Sequence, residues 1–272
     1  MKRQVETTVE FLKEAGIDAP QIGIVLGTGL GALAEEIEVE KEVSYEDIPN
    51  FPVSTVEFHK GKLIYGTING VKVLAMNGRF HFYEGYSMAE VVFPIRVMKF
   101  LGIEQLLISN AAGNMNLSWK KGQLMMITDH INLQPDNPLR GNGAAEFGPL
   151  FVDMSAPYDE SINKGLQEAA AENNIPLHTG TYVSVAGPNL ETKAEYRFLR
   201  AAGADVVGMS TVPEIIAANQ LELPVSAISV LTDDCDPDNL QAVNIEEIIA
   251  IAKTAEQDLI KIFKSYIATQ VK

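Results

Sequence analysis

A glycine-rich loop is the first feature of the sequence whose residue types could do chemistry. It lies in the stretch IVLGTGLGALAEEIE, where Gly27, Gly29 and Gly31 directly follow an apolar run. Glycines let a ligand approach backbone N–H groups, and these groups, together with the Thr28 hydroxyl, suit a small anion at the N-terminus of a helix. The loop is therefore interpreted as a binding site for free phosphate.

Two other readings of this loop stay open. Gly27, Gly29 and Ala32 also fit the loose G-x-G-x-x-G/A pattern of a dinucleotide-binding turn, and the glycines could serve only a structural turn. A dinucleotide site also calls for an acidic residue that closes a second strand about 20 residues further on. The sequence there is SYEDIPNFP, which is typical of a turn and disfavours that reading.

An arginine and a histidine two residues apart form a second candidate anion site. Arg79 and His81 lie in NGRFHFYEGY after an apolar run, and Tyr83 follows. Alternating residues of an extended chain share one face, and an arginine fork beside a histidine suits phosphate oxygens. The alternative is that Arg79 pairs with a nearby acid such as Glu84 while His81 only packs.

The elements that must position these residues alternate between strand and helix. Strand-length apolar runs are QIGIVLG, KLIYGTI, VKVLAMNG, QLLISN, TYVSVAG, ADVVGM and PVSAISVL. Helical spacing is found at the start of the chain, in its last stretch NIEEIIAIAKTAEQDLIKIFKSYIATQ, and over 88–100, 160–173, 193–201 and 212–220. The alternation predicts a single α/β domain over 1–272, with a mainly parallel, mixed central sheet flanked by helices and with ligands at the carboxyl ends of its strands.

Composition narrows the function classes. The net charge of −15 disfavours nucleic-acid and anionic-membrane surfaces, and no apolar run approaches the ~20 residues of a membrane-spanning helix. Cys235 is the only cysteine, which fits a reducing cytoplasm and excludes a disulfide framework within one chain. No HExxH motif or cysteine–histidine cluster predicts a metal site.

A set of further motifs in fixed order carries a family resemblance. They are GTGLG, IPNFPVSTVEFHKG, GRFHFYEGY, FPIRV, SNAAG, DHINL, NPLRG, VAGPNLET and VGMSTVPE. With them, the sequence resembles the trimeric purine nucleoside phosphorylases, in the family that also contains the methylthioadenosine phosphorylases. The resemblance implies a homotrimer that catalyses reversible phosphorolysis of purine nucleosides in purine salvage, with inorganic phosphate as co-substrate and no metal or organic cofactor.

The resemblance also implies roles for individual residues. The expected phosphate-binding residues are Thr28, His59, Arg79, His81, Ala111 and Ser210. The expected ribose-binding residues are Tyr83, Asn110, Met209 and Phe151, the last reaching into a neighbouring subunit's site. The expected base-binding residues are Ala112, Gly113, Leu190, Glu191, Val207 and Asp233, and His81, Glu191 and Asp233 are the expected catalytic residues. Without the resemblance, Met209 would be read as core and Phe151 as a packed surface aromatic.

Four positions depart from the family pattern. Thr28 replaces a serine but keeps a hydroxyl, and Leu190 replaces a residue that is often aromatic. Asp233 stands where 6-oxopurine enzymes generally carry asparagine, with Asp234 as a neighbouring alternative, and Ile245 stands where many members place a histidine near the 5′-hydroxyl.

These departures leave the preferred purine open between two relatives. Because a carboxylate such as Glu191 accepts N1–H, we expect inosine, guanosine and their deoxy forms as the main substrates. Asp233 and Ile245 together keep 5′-methylthioadenosine phosphorolysis as the alternative. A dinucleotide-dependent oxidoreductase and a noncatalytic nucleoside-binding protein are the more distant ones.

Overall fold

The computed structural model describes residues 1–27, 30–53, 61–141 and 143–271. Its helices are α1 Lys2–Glu14, α2 Met88–Val91, α3 Phe93–Leu101, α4 Glu160–Glu172, α5 Lys193–Ala201, α6 Val212–Gln220 and α7 Ile245–Ala268. Its strands are β1 Ile22–Leu26, β2 Glu38–Ser44, β3 Lys62–Ile68, β4 Val71–Asn77, β5 Gln105–Asn114, β6 Leu124–Asn132, β7 Leu177–Ser184, β8 Val206–Gly208 and β9 Val225–Asp234.

The strands form a mixed sheet with a parallel centre. Its order is β2-β3-β4-β1-β5-β8-β7-β6-β9, and β9 pairs also with β5. The parallel pairs are β4 with β1, β1 with β5, and β5 with β9. The pairs β2 with β3 and β3 with β4 are antiparallel. The second pairing of β9 closes β5, β8, β7, β6 and β9 into a ring. The predicted α/β class and mixed sheet are confirmed.

Helices cover both faces of this sheet. Helices α1, α3 and α6 contribute to one apolar cluster, with Leu12, Val97 and Ile215 among its fully buried members. Helices α4 and α7 contribute to the other cluster, through side chains such as Leu166 and Phe263. The strands between the two layers are buried on both faces, so their carboxyl ends and the loops that follow are the accessible places for a ligand.

The predicted elements differ from the structure in three places. The helix expected over 88–100 is two helices, because Pro94 in the first turn of α3 has no N–H to donate to the preceding turn. Strand β2 was not predicted, since it is an edge strand with five successive exposed residues and many charges. Strand β6 was missed too, because it is buried at its start and largely exposed at its end, without regular alternation.

Among the described residues, no helix is both long enough and apolar enough to cross a membrane.

Candidate active site

One cavity lies along the last part of β5, where the neighbouring strands also end. Thirteen of the residues predicted from the sequence line it together: Arg79, His81, Tyr83, Asn110, Ala111, Ala112, Gly113, Leu190, Glu191, Val207, Met209, Ser210 and Asp233. Because β8 runs antiparallel to β5, Val207 lies beside Gly113, and Ser210 extends back toward Asn110. The cavity therefore has two ends, one near Asn110 and one near Gly113.

Among the described residues, two predicted site residues, Phe151 and Ile245, do not line this cavity. Thr28 and His59 lie outside the described residues. Phe151 is 99% exposed on the surface of the single chain. Ile245 is the first residue of α7 and is 53% exposed, whereas Ile248, one turn further along, does line the cavity.

A buried ion pair holds the arginine at the first end. Arg79 is 1% exposed and pairs with Glu214 of α6, which is 3% exposed, through Nε to Oε1 at 3.3 Å and through Nη2 to Oε2. Nη1 donates to the Ser109 carbonyl at 3.0 Å. The planar guanidinium is thereby fixed at its position in the cavity wall, and the acid that pairs with it comes from a helix far away in sequence.

Glu84 bonds the histidine instead of leaving it merely packed. Glu84 Oε1 accepts from the His81 backbone N–H at 2.8 Å and lies 2.7 Å from His81 Nδ1. Burial lowers the pKa of His81, with Glu84 opposing and Arg79 reinforcing the shift. The imidazole is therefore neutral at pH 7, and since a carboxylate only accepts, Nδ1 carries the proton and Nε2 is an acceptor.

Tyr83 stacks on this histidine. The two ring centroids are 4.6 Å apart and the planes differ by 16°. Burial, with a smaller contribution from the charge of Glu84, raises the pKa of Tyr83 to about 12, so its hydroxyl is protonated at neutral pH. Tyr83 therefore presents an apolar face and an O–H group to the cavity.

The turn after β8 is strained and tightly held. Thr211 has φ +66° and ψ −55°, and the Val212 N–H bonds the Ser210 carbonyl at 2.7 Å, which is a γ-turn of the rare, strained kind. Tyr182 Oη accepts from the Ser210 N–H at 3.3 Å, and Ser184 Oγ donates to the Ser210 carbonyl at 3.0 Å. Strain of about 1–3 kcal/mol at a β-branched residue is typical of turns at functional sites.

An unpartnered acceptor lies beside that turn. Asn110 Nδ2 donates to Thr211 Oγ1 at 3.0 Å, while Asn110 Oδ1 is buried and has no partner among the described residues. A buried acceptor without a partner is costly, so a ligand O–H or N–H is expected to complete it.

The backbone after β1 also approaches this end closely. A Cβ at Gly27 would lie 2.8 Å from both the Ser109 carbonyl oxygen and the Asn110 Cα, so only glycine fits. The loop enters a 3₁₀ helix, Ala32–Glu36, and the N–H groups of Ala32 and Leu33 bond Glu256 Oε1 at 2.6 and 3.4 Å. These two N–H groups are thus occupied by a carboxylate, so the expected phosphate contacts of this loop fall to Thr28 and the glycine backbone that precedes the helix.

The second end of the cavity is organised by the strand register. Gly113 of β5 pairs with Val207 of β8 on one side and Asp233 of β9 on the other. A bulge at Thr232 shifts the register between Ala112 and Gly113 and turns Asp233 into the cavity wall. Asp234, the neighbouring alternative, is exposed and bonds Asn114 at 3.2 Å, so Asp233 is the carboxylate of this end.

Two acids, Glu191 and Asp233, line the cavity at this end. Burial raises the pKa of Glu191, and the charge of Asp233 adds to the effect, while a hydrogen bond from Tyr196 opposes it. Asp233 accepts from Thr232 Oγ1 at 2.9 Å through Oδ1 and from Cys235 Sγ at 3.3 Å through Oδ2. This end therefore offers hydrogen-bond acceptors against an apolar wall that includes Val207 and Leu190.

Several residues with a place in this site were missed by sequence reasoning. Among them are Glu214, Tyr196, Cys235 and Ile248. Glu214 lies inside the quoted motif VGMSTVPE, which was the one local signal available. No group of three or more potential metal ligands occurs within the described ranges.

The fold and the site define an α/β protein in which one cavity has a buried arginine and histidine at one end and two carboxyl groups at the other. The model of the phosphorylase superfamily matches residues 21–268. The chain is 47% identical to purine nucleoside phosphorylase 1 of Bacillus subtilis over 268 residues, which cover 98% of this chain and 99% of that protein. It is 43% identical to the purine nucleoside phosphorylase of Mus musculus over 261 residues, which cover 93% and 90% of the two chains.

Solved structures agree with the sequence comparisons. Schistosoma mansoni purine nucleoside phosphorylase in complex with adenosine has a TM-score of 0.93 and 38% identity, and the match covers 99% of this chain and 98% of that one. A Schistosoma purine nucleoside phosphorylase in complex with hypoxanthine has a TM-score of 0.93 and 39% identity with the same coverage. The chain belongs to the purine nucleoside phosphorylase family of the phosphorylase superfamily.

Proposed function

We propose that this protein catalyses the reversible phosphorolysis of purine nucleosides, in which phosphate attacks C1′ and releases the purine and (deoxy)ribose 1-phosphate. The observation that carries the proposal is the single cavity in which Arg79 and His81 lie at one end and Glu191 and Asp233 at the other. This separation suits an anionic nucleophile and an electron-rich leaving base on opposite sides of a sugar. The purine nucleoside phosphorylases to which the chain is 47% and 43% identical support it.

At the anion end, we assign phosphate binding to Arg79, His81, Ser210 and the Ala111 backbone. Arg79 supplies positive charge in a fixed orientation, since Glu214 and Ser109 hold its guanidinium. Neutral His81, with its proton on Nδ1, accepts a hydrogen bond from the P–OH of phosphate through Nε2. Thr28 and His59 stay predicted phosphate ligands.

At the sugar, we assign Tyr83, Met209 and Asn110 as ribose contacts. The unpartnered Oδ1 of Asn110 accepts from a ribose hydroxyl, which completes its hydrogen bonding. As the bond to the purine breaks, the sugar becomes an oxocarbenium-like cation, and the phosphate held by Arg79 stabilises that charge. The residues thus act by placing opposite charges at the reacting carbon.

At the base, we assign packing to Ala112, Gly113, Leu190 and Val207, and hydrogen bonding to the two acids. Glu191 as a carboxylate accepts N1–H of hypoxanthine or guanine, and the 2-amino group of guanine. This contact favours 6-oxopurine nucleosides as main substrates.

A second substrate class follows from the surroundings of Asp233. Thr232 and Cys235 both donate to it, and donated hydrogen bonds stabilise a carboxylate. The side-chain oxygens of Asp233 act as acceptors here and can also accept from a 6-amino group, so we propose adenosine as an additional substrate. If Ile245 lines the 5′ side in the assembled enzyme, 5′-methylthioadenosine is the alternative principal substrate.

We further propose a homotrimer in the cytoplasm with a role in purine salvage, without a metal or organic cofactor. The almost complete exposure of Phe151 supports a contact across subunits, since large aromatic side chains are usually covered. The single cysteine supports a reducing compartment. Light scattering tests the trimer, and a fully active monomer at assay concentration would contradict the shared site.

The test of the function is base release from inosine with and without phosphate. Hypoxanthine release that requires phosphate supports the proposal. Tight nucleoside binding without turnover would indicate a binding protein, and hydride transfer with a bound dinucleotide would indicate an oxidoreductase. The values of kcat/KM for inosine, guanosine, adenosine and 5′-methylthioadenosine then decide the substrate, and a preference above about tenfold for the last, ~1.4 kcal/mol, would overturn the 6-oxopurine assignment.

A further inference from the structure

A phenol and a thiol lie in an otherwise apolar cluster behind the base end of the cavity. Tyr196 is 2% exposed and Cys235 1% exposed, and both pack in a cluster that includes Met115, Val183 and Leu199. Buried polar side chains need hydrogen-bond partners. The partners here are the two acids that face the cavity, Glu191 and Asp233.

Cys235 contacts one of these acids, Asp233. Its Sγ lies 3.3 Å from Asp233 Oδ2, and burial, followed by the charge of Asp233, raises the pKa of the thiol, so the sulfur carries its proton and donates it. Thr232 donates to the other oxygen, Oδ1, at 2.9 Å. Each oxygen of the Asp233 side chain thus receives one donor, and its remaining lone pairs are acceptors.

Tyr196 lies beside the other acid, Glu191, and beside the Cys235 thiol. All three residues line the same cavity wall, and burial raises the pKa of the Tyr196 hydroxyl, so it is a donor with a single proton beside both groups. When that proton points at Glu191, the carboxylate is stabilised and accepts N1–H of a 6-oxopurine. When it points at the Cys235 sulfur, Glu191 loses its donor and takes up a proton more readily, and a carboxylic acid can donate to N1 of a 6-aminopurine.

The glycine at position 113 leaves room for this arrangement. A Cβ at Gly113 would lie 2.5 Å from Cys235 Sγ and 3.3 Å from Asp233 Oδ2. Glycine at this position of β5 therefore lets the thiol lie directly under the floor of the base end. The groups that act on Glu191 are Tyr196 and the charges of Asp233 and Glu195.

We propose that Tyr196 and Cys235 are positioning residues that set the choice between 6-oxo and 6-amino purines, because they join Glu191 and Asp233 in one hydrogen-bonded chain. The inference rests on the proposed function. It gives the enzyme two states of the same pocket, one for each base, without movement of the backbone.

The test compares Cys235→Ala, Cys235→Ser and Tyr196→Phe with the unaltered protein, and uses Met115→Leu from the same cluster as the matched control. The ratio of kcat/KM for adenosine to that for inosine falls about tenfold in Cys235→Ala, the size expected when a hydrogen bond to a charged group is lost. Cys235→Ser keeps a donor and retains the ratio within about threefold. The control leaves the ratio unchanged.

Tyr196→Phe has a different signature. Loss of the hydroxyl raises the pKa of Glu191, so the acidic limb of the inosine kcat/KM profile moves to higher pH and the adenosine ratio rises. A purely structural role would lower the melting temperature and reduce both activities together without moving the profile.

A calorimetric measurement keeps this inference separate from the function itself. We expect the ratio of the Kd values for free hypoxanthine and adenine to rank the four variants in the same order as the adenosine-to-inosine ratio of kcat/KM. This binding ratio can be measured whether or not the protein turns over a nucleoside. Absence of phosphate-dependent base release from inosine would refute the proposed function. An unchanged ratio, both in binding and in turnover, for Cys235→Ala and Tyr196→Phe would refute the hydrogen-bonded chain.

Discussion

Replacing Glu214 with glutamine isolates the contribution of the buried ion pair to the phosphate end. The variant keeps the shape of the side chain but removes the negative charge that pairs with the Arg79 guanidinium. Both partners are almost completely buried, at 1% and 3% exposure, so the guanidinium would be left without its ionic partner away from water. Breaking a buried pair in this way costs about 3–5 kcal/mol, and the retained amide oxygen places the expected loss near the lower value.

The expected result is a loss of about 3 kcal/mol in the free energy of unfolding, which corresponds to a fall of roughly 6–12 °C in melting temperature for a chain of this size. In addition, kcat/KM for phosphate falls about tenfold because Arg79 no longer has one fixed orientation. Urea unfolding and initial rates at limiting phosphate measure the two effects. Asp238→Asn is the control, since it breaks the exposed pair with Arg197 and should change neither quantity measurably.

Two results would refute this reasoning. A Glu214→Gln variant that loses less than about 1 kcal/mol of stability would show that the pair does not hold Arg79 in place. A variant with lowered stability but an unchanged phosphate dependence would remove the guanidinium from the phosphate site.

Three further predictions concern the anion end and the base end. Arg79→Ala loses about 100-fold or more in turnover at limiting phosphate, and a folded variant with unchanged phosphate dependence would remove Arg79 from the site. Burial lowers the pKa of His81 below 6.5 in the folded chain, so the unfolded chain binds that proton more readily and the free energy of unfolding falls as pH falls through about 6.5. Urea unfolding between pH 7 and 5 should therefore show a smaller loss of stability for His81→Asn than for the unaltered protein. An equal dependence on pH in the two proteins would contradict this prediction. Asp233→Asn reduces kcat/KM for adenosine relative to inosine, since an amide N–H₂ cannot accept from the 6-amino group, and a raised adenosine ratio would contradict the assignment.

Local sequence patterns were sufficient for most of the framework. The bounds of α5 and α6 agree with the predicted 193–201 and 212–220, because their apolar residues recur at helical spacing between polar or glycine-containing loops. The motif around Arg79 and His81 and the small residues from Asn110 to Gly113 lie where strands end, which is why they were predicted as site residues. The cavity brings these groups together.

Long-range pairs could not be predicted in the same way. Glu214 is 135 positions from Arg79, and nothing in the local pattern of either residue specifies the other. Tyr196 and Cys235 likewise meet only because α5 and the chain after β9 pack on the same side of the ring of strands. Sequence spacing describes one element at a time, whereas these contacts depend on how elements pack.

The measurement that tests the account most directly is the identity of the sugar product. Inosine incubated with the enzyme and excess phosphate should give hypoxanthine and ribose 1-phosphate in equal amounts, as followed by ultraviolet absorbance and by phosphorus NMR. The result follows if phosphate held by Arg79 and His81 is the group that attacks C1′. Free ribose formed in equal amount with hypoxanthine, without a phosphate ester, would show that water is the nucleophile and would contradict the account.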